Sequence, residues 1–92
     1  MDEDMLKKII VDTVSSILDV AHEYIDAGVD WIEAGMDNVA MAKLTDKVNQ
    51  TFGLEINVAL LSEYRNIESL ANYISEERKS TLQAYREGGL HS

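Results

Sequence analysis

The sequence predicts an all-α fold, a four-helix bundle of three principal helices and one short one with a long loop between the first two. Three observations lead there. Apolar residues recur at helical spacing in three separate windows of the 92-residue chain. Residues suited to capping stand before those windows, and a glycine or a polar turn stands after them. Between the first two windows the period fails over a stretch that still carries large apolar side chains.

In the first window Leu6, Ile9, Ile10, Val14, Ile17 and Leu18 fall on one face, with Lys7, Lys8, Asp12 and Ser15 on the other. Asp4 is the expected N-cap, and the helix is expected to end near Val20. Residues 21–37 read as a loop marked by Gly28, Gly35 and several acids. Its Tyr24, Ile25, Val29, Trp31 and Ile32 are expected to pack on the helices. Asn38 is placed as the residue that opens and caps the second helix. Met41, Leu44, Val48 and Phe52 form its inward stripe, Ala40, Lys43, Lys47 and Gln50 face out, and Gly53 supplies a left-handed C-cap. Asn57 caps a short third helix carrying Val58, Leu60 and Leu61. After the turn Tyr64-Arg65-Asn66, the spacing of Ile67, Leu70, Ala71 and Ile74 predicts the fourth, with Asn66 as its cap. The charged run Glu76-Glu77-Arg78-Lys79 reads as a solvated helical face or the start of a linker. Leu82 and Tyr85 keep the helical phase until Gly88-Gly89. The chain thus divides into a bundle over residues 1–75 and an extension or linker over 76–92.

Seventeen acidic residues against eight basic ones give a net charge of −9. Such a balance argues against nucleic acid, which needs a basic surface. It suits solubility, or partners that present basic patches. Without cysteine there is neither a disulfide nor a thiolate metal site, and His22 and His91 are too far apart in sequence to suggest an imidazole pair. No metal site is expected. The acidic start Met1-Asp2-Glu3-Asp4 is unlike a signal peptide, and no apolar run has membrane-spanning length, so a cytoplasmic location is expected. Asp26, Asp30, Glu33 and Asp37 lack the alternating acids, central glycine and closing glutamate of an EF-hand. Nor does so short a bundle offer an enclosed cleft for paired-carboxylate hydrolysis. No catalytic constellation is visible, and the chain is not expected to be an enzyme.

Gly35-Met36-Asp37-Asn38-Val39 carries the strongest signal when taken with its flanks. Ile25-Asp26 and Trp31-Ile32-Glu33-Ala34-Gly35 precede it, and Phe52-Gly53-Leu54 follows. In this order and spacing the segments resemble the attachment site of acyl or peptidyl carrier domains. The stretch from Leu60 to Ile74 is similar to the Leu-Phe-Glu-Tyr-Pro-Thr-Ile segment of polyketide-synthase carriers, with Arg65 and Asn66 where that family has proline and threonine. The resemblance runs from about Leu6 to Ile74. It implies an acyl-carrier bundle, expected to be a monomer, that presents tethered intermediates to assembly-line enzymes such as a ketosynthase, an acyltransferase or tailoring enzymes.

The resemblance also implies that Asp37 and the residue after it form the phosphopantetheine site, with serine as the attachment residue. Here that residue is Asn38. A carboxamide has no hydroxyl to attack the pyrophosphate of coenzyme A, so the chain is expected to stay apo and to take no cofactor. A phosphopantetheinyl transferase becomes a partner once serine is restored. Met36, Val39, Lys43 and Lys47 are the expected partner surface, and their mixed charge is closer to polyketide-type than to fatty-acid carriers. The asparagine fits either an introduced change that holds the apo state or a natural degenerate carrier serving as a non-catalytic docking module.

Overall fold

A computed structural model describes residues 2–84, with side chains through Lys79. Three α-helices make up the bundle: α1 (Glu3–Leu18), α2 (Asn38–Phe52) and α3 (Ile67–Ala84). Two 3-10 segments lie between them, at His22–Tyr24 and Val58–Ser62. There is no strand among the described residues, so the all-α expectation holds. The expected short third helix is the five-residue 3-10 segment Val58–Ser62, and the expected fourth is α3. The turn at His22–Tyr24 lies where only loop was expected.

α1 is the element against which both other helices pack. Its Leu6, Ile10 and Val14 meet Leu44, Val48 and Phe52 of α2 and Ile67, Leu70, Ala71 and Ile74 of α3 in one continuous core. Burial of these spaced aliphatic side chains supplies the main drive for the fold. The N-cap of α1 is Asp2 and not Asp4: the Asp2 carboxylate accepts from the Met5 N–H at 2.9 Å, and Asp4 already lies in the first turn. At the other end Asp19 adopts the left-handed region (φ 57°), and its N–H donates to the Ser15 carbonyl. Gly53 ends α2 in the same conformation, as its sequence position predicts, with φ 66°.

After Gly53 the chain has no regular structure until Val58, yet it is held. The Asn49 carboxamide donates to the Ile56 carbonyl and accepts from the Ile56 N–H, both at 2.9 Å. α3 starts on a reciprocal cap, in which Asn66 accepts from the Ser69 N–H at 2.8 Å and the Ser69 hydroxyl sits against the Asn66 backbone. It continues unbroken through the exposed run Glu76–Lys79. Tyr85 and Gly88-Gly89 lie outside the described residues.

The loop between α1 and α2 packs only in part. Trp31 is buried, and Ile25 and Val29 are half-buried, but Tyr24 is 79 % exposed and Ile32 73 %. Those two expectations are corrected. The turns of the loop bury the Trp31 ring and leave Tyr24 and Ile32 on the outside. The Trp31 indole N–H donates to the carbonyls of Leu61 (3.1 Å) and Tyr64 (2.9 Å), and its backbone N–H donates to the Arg65 carbonyl. One residue thereby ties the loop to the chain just before α3.

Candidate functional site

The start of α2 is placed by the turns of the loop before it and by that loop's bonds to the chain just before α3. Asp30 accepts from the Ile32 N–H, the Gly35 N–H donates to the Ile32 carbonyl, and the Met36 N–H donates to the Trp31 carbonyl. This series of tight turns brings Gly35 to φ 95°, a conformation that side chains rarely tolerate, which explains the glycine at this position. Asp30 is also bound by the Arg65 guanidinium at 2.6 Å. The Ile32 N–H bond and then the Arg65 contacts hold the Asp30 carboxyl below the usual carboxylate range.

Asp37 is the N-cap of α2, its carboxylate accepting from the Ala40 N–H at 2.8 Å. Asn38 is the first helical residue and not the cap, which corrects the sequence expectation. Both residue types cap well, so the choice between them is a matter of register and not of chemistry. Met36 is 5 % exposed and Ala40 7 %, so both point into the core where an outward Ala40 and a surface Met36 were expected. Met36 is therefore no part of an exposed face.

Asn38 and Val39 are exposed at the first turn, Val39 to 63 %. Val39, Lys43 and Lys47 follow at four-residue intervals and form one stripe, all of it exposed. Beside it Asn38, Ala42 and Asp46 make a second exposed stripe. The structure thus brings Asp37, Asn38, Val39, Lys43 and Lys47 onto the outer side of α2 and removes Met36 from the set. Val58, 47 % exposed, and Ile32 are further exposed apolar residues that sequence reasoning did not place at the surface. Among the described residues no cluster of potential metal ligands forms and no helix is long and apolar enough to cross a membrane.

The two hydroxyls nearest in sequence on the flanking helices do not stand in for the absent one at position 38. Thr45 is 6 % exposed and its hydroxyl donates to the Met41 carbonyl within α2. Ser16 is exposed, but on α1.

Comparison with solved structures gives the same architecture. A free-standing peptidyl carrier protein from an uncharacterized Acinetobacter baumannii secondary metabolic pathway is similar with a TM-score of 0.79 and 26 % identity, covering 83 % of this chain and 95 % of that one. The HMG-ACPI domain from the CurA module of Lyngbya majuscula shares the fold with a TM-score of 0.81 and 20 % identity, over 87 % and 81 % of the two chains. Residues 8–74 match the family described as the phosphopantetheine attachment site, a span that holds all of α2 and the loop that presents it. The chain belongs to that family of carrier domains, whose members carry tethered intermediates and are not enzymes.

Proposed function

We propose that this chain is an acyl carrier domain of a polyketide-synthase-type assembly line, held in the apo form because Asn38 stands at the attachment position. The observation that carries this reading is the placement of Asn38. It is exposed at the first residue of α2, directly after the Asp37 cap, inside the matched family region. An exposed residue at a rigidly presented helix start suits a site that a transferase must reach. The side chain present does not suit the group: a carboxamide oxygen forms no stable phosphodiester, and the hydroxyls of Thr45 and Ser16 are buried in α2 or on another helix. The polyketide-type assignment is supported by the Leu60–Ile74 segment and by the mixed charge along α2. The partners proposed are a ketosynthase, an acyltransferase or a tailoring enzyme, meeting Val39, Lys43 and Lys47. Residues 76–92 are proposed as a C-terminal helical extension or linker.

The test is modification. Incubated with coenzyme A and a broad-specificity phosphopantetheinyl transferase, the unaltered chain gains no mass, whereas Asn38→Ser gains the pantetheine arm. Loading of the unaltered chain overturns the apo reading. Refusal of the serine variant overturns the carrier reading and favours the second one, a degenerate carrier that acts as a non-catalytic docking module, for which the same asparagine speaks.

A further inference from the structure

A groove lies between the end of α1 and the loop, lined by Val14, Leu18, Ile25, Val29 and Ile67 with Trp31 in its wall. No residue of α2 contributes to it, so it is separate from the face around Asn38. At ≈ 390 Å³ it is at the small end of the range of about 300–1,000 Å³ typical of ligand sites, a size for a side chain or two and not for a large cofactor. Two features show what it fits. The apolar lining continues onto the outside through Val20, 40 % exposed, and Tyr24, 79 % exposed, a tyrosine-bearing rim of the kind that protein interfaces use. Asp26 and Glu33 also line it, and among the described residues neither takes part in an ion pair, whereas Asp30 between them is neutralised by Arg65. One Asp26 oxygen accepts from the Gly28 N–H at 2.9 Å.

We propose that this groove docks a basic segment of a partner protein, seating an aliphatic side chain between α1 and the loop with a lysine or arginine paired to Asp26 and Glu33. Apolar walls with unpaired carboxylates at the mouth select for that combination: an acidic segment is repelled, and a purely polar one leaves the walls wet. An anionic membrane surface is disfavoured by the same carboxylates. The inference does not depend on the state of Asn38.

Amide NMR of the isotope-labelled full chain, titrated with the peptide acetyl-Gly-Lys-Leu-Leu-Lys-Gly-amide, tests it. The expected result is a set of shifts at Val20, Tyr24, Ile25, Val29 and Ala34 and at the Trp31 indole N–H. The pair Asp26→Asn with Glu33→Gln then weakens binding about five- to tenfold, as removal of close charge partners does elsewhere. The pair Glu55→Gln with Glu63→Gln, which removes the same two negative charges at exposed sites outside the lining, leaves it within about twofold. The glycine-for-leucine peptide and the glutamate-for-lysine peptide do not shift the groove. Equal weakening by both charge pairs, shifts centred on Val39, or equal binding of the glycine peptide overturns the proposal. So do groove shifts that appear with protein concentration alone, which assign the groove to a second copy of the chain.

Discussion

Replacing Trp31 with alanine removes a ring that is only 2 % exposed together with two hydrogen bonds to the chain before α3, and is expected to cost about 3 kcal/mol in denaturant unfolding. Trp31→Phe keeps most of the ring and should cost about 1–3 kcal/mol, since it leaves the Leu61 and Tyr64 carbonyls without their donor. Equal midpoints for the alanine variant and the parent would show that the loop is not anchored there. Asp30 gives a pH signature. Its carboxyl is held below the unfolded value of about 3.9, so its stabilisation is complete above that pH and is lost as pH falls through the lowered native value. Stability of Asp30→Asn should accordingly lie below the parent at neutral pH and converge with it in acid; parallel curves would remove Asp30 from the account. That apolar residues of this loop pack on the helices was legible in the sequence, but not that Trp31 is the buried ring and Tyr24 the exposed one. The Asp30–Arg65 bond was not legible, because 35 residues separate the pair and Arg65 stands where the resembling family has proline.

The helices were legible because each repeats its apolar residues for at least two turns, and the ends were less so. Asp37 and Asn38 are adjacent, and each is a good cap. Only the Ala40 N–H, 2.8 Å from the Asp37 carboxylate, decides between them. Asp37→Ala should therefore destabilise by about 1 kcal/mol in thermal or denaturant unfolding, and Asn38→Ala by much less. The reverse order would restore Asn38 as the cap. Asp19 offers a gain. A non-glycine residue at φ 57° is strained by roughly 1 kcal/mol, and an acid at a helix C-terminus opposes the helix dipole. Asp19→Gly should raise stability by about 0.5–1 kcal/mol, measured as a higher denaturant midpoint at unchanged slope. The loop between α1 and α2 was read as more buried than it is, since a segment without a period does not show which of Tyr24, Ile25, Val29, Trp31 and Ile32 face inward.

At the scale of the molecule, a net charge of −9 surrounds a face on which Lys43 and Lys47 are exposed on one stripe. Association with a cognate enzyme should weaken with added salt. Reversing both lysines to glutamate should weaken it further while leaving the unfolding midpoint nearly unchanged, because exposed helix positions tolerate such changes. An unaltered affinity in surface-binding measurements would remove α2 from the contact. The charge balance was legible from composition alone, and the face was not, since it depended on the register that buries Met36 and Ala40. A last consequence concerns time. The Ile56 N–H belongs to a stretch with no helix or strand, yet the Asn49 side chain closes on it from both sides as a neighbouring backbone would. In deuterated solvent Ile56 should form an island of slow exchange between fast neighbours. Its amide should be released only when α2 itself opens, so that one loop proton reports the lifetime of the whole bundle.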